Sequence, residues 1–455
     1  MTKEQKHTLI ACMTTAFITT FMGSSLNLAV PNIEAHFGVG ASVVGWVVTA
    51  YMLAVSSLNV PLGKVADQTG RRRMFILAIA IFGCASIIGA FSVNIWMLLG
   101  MRLLQGMAGA MIFATNNALL MSAFPPSERG SVLGKSTAAT YIGLSAGPVI
   151  GGLLNGYLGW RSIFIATGLI SAIAFLIAVK GLPKRDEGMA HGRFDMKGSM
   201  LYFAMIIMIL YGLTDLSIMS SARYILAAGL ALSVVFVIAE RRAEDPIIQI
   251  DMFTKDRPFL CSNLAAFLNY GATFTVGYLL SMYLQLIMGF SSQKAGLILI
   301  LQPAIQALFS PYMGRLSDRI APHKLASAGM GICAAGLILL SRLNEDSPMA
   351  YVLVILVVMG FGFAAFSSPN VNAIMSRVDP KDFGVANSIV ATMRNMGQST
   401  SMAVVTIVMG ILVGNAALAS VPAARLMHAI HVIFAIFVVI CAIGVFLSLA
   451  RGKEG

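Results

Sequence analysis

Gly63-Lys-Val-Ala-Asp67-Gln-Thr-Gly70-Arg71-Arg72-Arg73 is a short, strongly basic stretch with a single acid, set between two long apolar runs. A short cationic loop between membrane spans is expected on the cytoplasmic side, joining its spans as a tight hairpin. The stretch returns in altered form as Gly314–Lys324, GRLSDRIAPHK, without the triple arginine. Gly63 pairs with Gly314 and Asp67 with Asp318 at one offset, 251 residues, and Gly45 with Gly296 keeps it. Gly130 with Gly384 and Gly143 with Gly397 repeat at 254. Two halves on one plan are the pattern expected of a membrane transporter assembled from repeated bundles.

Composition sets the same frame. Of 455 residues, 58% are hydrophobic and 11% charged, far from soluble-protein usage. Apolar runs of about 18 or more residues recur along the chain, the mark of a polytopic helical membrane protein. The net charge of +12 reads as loop Lys and Arg facing the cytoplasm, so no nucleic-acid partner is expected. Cys12, Cys84, Cys261, Cys333 and Cys441 all lie in apolar runs without metal-ligand spacing, so neither a metal site nor a disulfide is expected. The first span follows MTKEQKH and is too long for a signal-peptide core, which makes it an uncleaved helix.

Hydropathy divides the chain into fourteen spans, the ninth near 259–287. With both termini inside, twenty-five Lys and Arg fall in inner segments, Arg394 among them, and five in outer ones. Arg102 alone is left within a span. Moving one span would reverse every later loop, so the bias supports the even count. The fold class is therefore all-α: two six-helix bundles, 1–183 and 246–455, and a linker, 184–245, with two further helices near 198–239. That pair should line no cavity, since the two bundles can close on each other without it.

These residues carry a resemblance. Gly63–Arg73 resembles the loop motif between the second and third helices of the major facilitator superfamily. Leu98–Gly109, LLGMRLLQGMAG, resembles its fourth-helix motif, with Arg102, Gln105 and Gly106. Gly143–Gly152, GLSAGPVIGG, resembles the fifth-helix motif of its antiporters. Fourteen spans and Trp46–Leu53, WVVTAYML, are similar to the fourteen-helix drug:proton antiporter branch. The resemblance implies secondary transport of a small molecule across the cytoplasmic membrane by a monomer, without enzymatic activity or cofactor. It implies export of hydrophobic drug-like or lipid-like compounds. The alternative is an endogenous neutral or anionic metabolite with Arg102 as its partner.

Each motif has a physical reading. Gly63 permits close helix approach, and Asp67 can accept from backbone N–H groups at a helix N-terminus or from an arginine. With Gly70, Arg71, Arg72 and the second-half Asp318 this makes a conformational latch, asymmetric because the second copy lacks the triple arginine. An ionisable residue within a span is a functional candidate by default, which singles out Arg102, with Gln105 one turn away. Gly143, Gly147, Gly151 and Gly152 put small residues on one helix face and Pro148 can kink it, giving a rigid seam between the halves. The resemblance places a cavity between the bundles, with Asn27, Asn116, Tyr141, Asn269, Tyr270, Gln302, Phe361 and Phe363 as candidate linings. Where many members carry a first-helix Asp this chain has Met22, and none of its nineteen acids falls near mid-span. Protons as a driving partner thus stay open, with Glu34, Asp67 and Asp318 as candidate acceptors away from the substrate.

Overall fold

The computed structural model describes the chain apart from residues 27–28, 40, 184–193, 215–220, 291, 414–421 and 451–455. Its first half comprises α1 (Lys3–Leu26), short α2 (Val30–Phe37), α3 (Ala41–Thr69), α4 (Arg71–Ala90), α5 (Ile95–Ala123), α6 (Arg129–Leu158) and α7 (Arg161–Gly181). Next come α8 (Met196–Thr214) and α9 (Ala222–Arg242). The second half runs through α10 (Asp251–Thr254), α11 (Arg257–Thr273), α12 (Val276–Met282), α13 (Ser292–Leu299) and α14 (Leu301–Ser317). It ends with α15 (Pro322–Leu340), α16 (Met349–Met375), α17 (Phe383–Leu412) and α18 (Ala423–Leu449).

Local chemistry sets the ends. Asn94 and Asp256 cap α5 and α11 by accepting from the N–H groups of Met97 (2.8 Å) and Phe259 (2.9 Å), each satisfying a donor that the helix leaves open. Gly70, at φ 107°, is the one residue between α3 and α4, a backbone conformation that side chains rarely tolerate.

Among the described residues thirteen helices are long and apolar enough to span a bilayer. The expected ninth span is present but broken into α11, α12 and a π-helical turn, Tyr283–Ile287. At the break Thr275 turns to α17, its hydroxyl 2.9 Å from that of Ser401. The Thr275 N–H also donates to Ser401 Oγ (3.4 Å), a side-chain contact of the kind that re-satisfies irregular backbone inside a membrane.

In the first half α1 packs on α5, α6 and α7, and α4 on α5 and α7. In the second α11 packs on α16, α17 and α18, and α15 on α16 and α18. The halves meet where α14 and α16 lie on α6, and where α17 lies on α3 and α5. The first hydrophobic core takes in Ile374, Met375, Phe383 and Ile389 of the second half, whereas the second core stays within its own half. The halves are thus fused at the Asp67 end. α8 packs on α9 and also on both α3 and α17, across the edge of that seam.

Candidate functional site

The sequence repeat becomes a reciprocal crossing at the Asp67 end. Asp67, at the end of α3, accepts from the N–H groups of Gly384 (3.1 Å) and Val385 (3.0 Å), in the first turn of α17. Asp318, just past α14, accepts from those of Gly130 (2.6 Å) and Ser131 (2.9 Å), in the first turn of α6. Each acid satisfies open N–H groups of the opposite half and faces the positive end of its helix dipole. The glycines make room. A Cβ on Gly63 would lie 2.9 Å from the Gly384 carbonyl oxygen, and one on Gly314 3.0 Å from the Gly130 carbonyl carbon.

The two crossings differ in their cations. Arg71 Nε donates to Asp67 Oδ1 (2.7 Å), Nη1 to Ser122 Oγ (3.2 Å) and Nη2 to the Pro380 carbonyl. Among the described residues no cation pairs with Asp318. Arg72 donates to the Leu182 (3.3 Å) and Val179 (3.2 Å) carbonyls at the end of α7. Burial holds the Asp318 carboxyl above the ordinary carboxylate range against the pull of its two N–H donors, with Glu128 adding to the rise. A proton is therefore bound more tightly in this closed arrangement than in water. Closure gains stability on acidification and loses it as pH rises through the raised value. Replacing Gly314 by Val should disfavour closure by about 1–3 kcal/mol, since the Gly130 backbone cannot yield. Faster alkylation of a cysteine placed at Asn117 would report it; unchanged protection would contradict the crossing.

Beside these contacts a small central cavity of about 80 Å³ lies between the halves. Asn116, Asn117, Tyr141, Tyr270, Asn370 and Arg394 are among its lining residues. Its polar groups come from both halves. Asn116 Nδ2 donates to the Cys12 carbonyl (3.0 Å), while its Oδ1 is buried without a hydrogen-bond partner among the described residues. Asn117 Nδ2 donates to Asn387 Oδ1 (2.8 Å), and Asn387 Nδ2 to the Phe113 carbonyl, joining α5 to α17. The Arg394 guanidinium lies over the Phe113 ring, 5.2 Å from its centroid. Among the described residues Arg394 has no ion-pair or hydrogen-bond partner. A cleft of about 780 Å³, lined by residues such as Thr8, Arg71 and Lys180, is bounded by the first half alone. It lacks the two-sided wall that alternating access needs.

Arg394 is the residue the sequence reading missed. It was counted with the inner charges, yet it stands well inside α17 and lines the cavity. Its position in a predicted span, 384–413, is the signal that would have found it.

Arg102 lies elsewhere. It is 1% exposed and lines neither cavity. Nε donates to the Val47 carbonyl (2.7 Å), Nη1 to Gln105 Oε1 (2.8 Å), and Gln105 passes on to Ser86 Oγ (2.8 Å). The guanidinium also stacks over Tyr51, 4.5 Å from its centroid. Gly106 lets α3 come this near, since a Cβ there would lie 2.6 Å from that of Ala54. The Arg102 group ties α3, α4 and α5 together inside the first half, and what faces the cavity is Arg394 instead.

The small face of α6 differs likewise from a seam between halves. A Cβ on Gly143, Gly147 or Gly151 would run into Phe17, Ser24 or Ser25 of α1, so this seam is internal to the first half. The contact between halves is made by the other end of α6, where a Cβ on Gly134 would lie 3.0 Å from Pro311 Cα. Gly152 and Pro148 continue the same helix. Asn269 is fully buried with both amide atoms unpaired, and Glu34 is partly buried on α2; neither lines the cavity. Gln302, Phe361 and Phe363 stand outside it too. Asn27 lies outside the described residues. Among the described residues neither α8 nor α9 lines the cavity.

Two helical halves of like plan, crossing reciprocally at one end around a polar cavity, define an alternating-access membrane transporter. The chain belongs to the Major Facilitator Superfamily, whose family model matches residues 12–240 and 263–454. Its members are transporters, and the chain is not an enzyme. It is 32% identical over 394 residues to Riboflavin transporter RibZ of Clostridioides difficile (strain 630), covering 87% of this chain and 86% of that one. It is 29% identical to Multidrug resistance protein Stp of Mycobacterium tuberculosis (strain ATCC 25618 / H37Rv), over 89% of this chain and 76% of that one. It is 28% identical to Puromycin resistance protein pur8 of Streptomyces alboniger, over 88% and 81%. The drug-efflux branch suggested by the sequence motifs is thus represented among its relatives. The crystal structure of the human organic anion transporter MFSD10 (TETRAN) superposes with a TM-score of 0.66, covering 98% of this chain and 99% of that one. At 15% identity this likeness concerns the fold alone.

Proposed function

We propose that the chain carries planar aromatic, hydrogen-bonding molecules, neutral or anionic, across the cytoplasmic membrane by alternating access. The observation that carries this reading is Arg394, a cation in the wall between the halves with no ion-pair or hydrogen-bond partner among the described residues. Around it stand the amides of Asn116, Asn117, Asn370 and Asn387 and the rings of Phe113, Tyr141, Tyr270 and Phe366. Such a wall offers stacking faces, donors and one positive charge, with no acid to hold a lipophilic cation. Arg394 replaces Arg102 in the alternative reading for an anionic metabolite. Similarity to a riboflavin transporter supports the aromatic, polyhydroxylated class, and similarity to drug-resistance proteins supports a tolerant pocket.

The cavity of about 80 Å³ is far below the roughly 300–1,000 Å³ of a small-molecule site. Substrate therefore enters when the halves part and is not held in this arrangement. In this reading the Asp67 end is cytoplasmic, as are both termini, each six-helix half moves as a unit, and the protein acts as a monomer. The reciprocal crossing is the latch that closes the inner side, and protons can drive the cycle only through groups away from the cavity. Counterflow in proteoliposomes tests substrate class without assuming direction: vesicles loaded with unlabelled riboflavin should accumulate labelled riboflavin. A lipophilic cation of similar size should not compete. Competition by the cation alone would overturn the reading.

A further inference from the structure

Glu240 is an acid the transport cycle above does not use. It sits in the last turn of α9, beside Arg241 and Arg242, and is 2% exposed. Oε2 accepts from the Ile248 N–H (2.9 Å), which folds the following segment back over it. Oε1 is buried with no hydrogen-bond partner among the described residues. A Cβ on Gly198 would collide with Glu240 Oε1 and lie 2.5 Å from Asp195 Oδ2. Both carboxylates thus crowd the same glycine in the first turn of α8. Asp195 is already anchored, because its Oδ1 accepts from the Gly198 N–H (2.9 Å) at the start of that helix. Among the described residues the charged side chains facing Glu240 are Asp195 and, from α3, Lys64. Lys64 is 8% exposed, belongs to the opening motif, and also faces Asp382 at the start of α17.

We propose that Glu240 and Asp195 form a proton-binding site by which the inserted helix pair senses cytoplasmic acidity and biases the inner latch toward closure. A buried carboxylate that faces a second carboxylate is disfavoured in its ionised form. One proton placed on Glu240 Oε1 removes its repulsion with Asp195 and leaves a neutral acid in place of a buried charge. Lys64 balances the charge that remains. The device reaches the latch through α8, which packs on both α3 and α17 and whose Tyr202 hydroxyl is 2.8 Å from that of Thr392 on α17. When the inner side opens, water reaches this end, Glu240 ionises and the proton leaves. Acid therefore favours the closed form, and alkali the open one. The site is shut off from the opposite side of the membrane in the closed form, so its proton is a signal and not the transported ion.

The inference rests on the Asp67 end being the cytoplasmic gate, but its test needs no substrate, so it stands or fails apart from the substrate reading. Spin labels at exposed Thr69 and Ser376, in a chain with Cys84 and Cys261 replaced by Ser, report the opening of that end across pH 5–9 in lipid nanodiscs. Asp318 is kept in every variant, so its own response is common to all. The unsubstituted pair should open progressively as pH rises. Glu240→Gln should open less as pH rises, keeping only the part of the response that Asp318 supplies. Asp195→Asn keeps the helix cap but removes the opposing charge, so its transition should move to lower pH. A Glu240→Gln protein that opens with an unchanged pH profile overturns the proposal, as does an Asp195→Asn transition that stays put or moves upward.

Discussion

Replacing Arg394 by Ala is expected to weaken binding of an anionic substrate by about tenfold to a hundredfold, the loss of one charge-assisted contact of roughly 1.5–3 kcal/mol. Binding of an uncharged analogue of the same ring system should change by less than about threefold. The contrast follows because, among the described residues, the guanidinium has no ion-pair or hydrogen-bond partner: its removal orphans no buried acid and costs only the stacking on Phe113. Arg394→Lys keeps the charge but loses the flat face over Phe113, so it should restore part of the affinity for the anion. Arg102→Ala should behave otherwise. Its donors hold the Val47 carbonyl and Gln105, so the variant should lose thermal stability and transport of both substrates alike. Equilibrium binding of a carboxylated and an uncharged fluorescent aromatic compound to purified protein separates the two arginines. Equal loss for both compounds in Arg394→Ala would remove it from the substrate site.

What the sequence made legible was the plan, and what it hid was direction. A repeat of glycine and acid at fixed offsets is a one-dimensional pattern. It pairs Gly63 with Gly314 and Gly130 with Gly384, the equivalent positions of two halves. In space the partners are exchanged, Gly63 meeting Gly384 and Gly314 meeting Gly130, because the halves face each other across their pseudo-symmetry. Hydropathy found the helices but not the break near Thr275, since a span kept in a membrane by side-chain hydrogen bonds stays apolar on average. Arg102 was conspicuous as a charge in a span, yet which way it points depends on a glycine, Gly106, that lets α3 approach. Arg394 was hidden by the opposite error: counting it with the inner loop charges overlooked that it falls inside the span 384–413. The expectation of an asymmetric latch rested on the triple arginine. The structure locates that asymmetry in one side chain, Arg71, while the N–H contacts of Asp67 and Asp318 match.

Asp67→Asn is expected to move the balance between inner-closed and inner-open forms toward open by about tenfold to a hundredfold, from the loss of roughly 1–3 kcal/mol at one buried site. The carboxylate receives three donors: Oδ1 takes Arg71 Nε and the Gly384 N–H, and Oδ2 the Val385 N–H. An amide has only one oxygen to give, and its NH₂ group must point at a donor whichever way it is turned. Arg71, 5% exposed, then loses its counter-charge, and a buried cation without its partner adds to the destabilisation of the closed form. Asp318→Asn loses an N–H contact of the same kind but strands no arginine, so its effect should be the smaller of the two. Insertion and expression should be normal in both, since the N–H groups that either acid receives belong to the opposite half. Transport should slow in both, because the form open to the other side of the membrane is reached less often. Spin-label distances across the inner end, read beside counterflow rates, order the variants. A larger effect in Asp318→Asn than in Asp67→Asn would show that the arginine does not brace the latch, and full-rate transport in Asp67→Asn would show that the crossing is no latch at all.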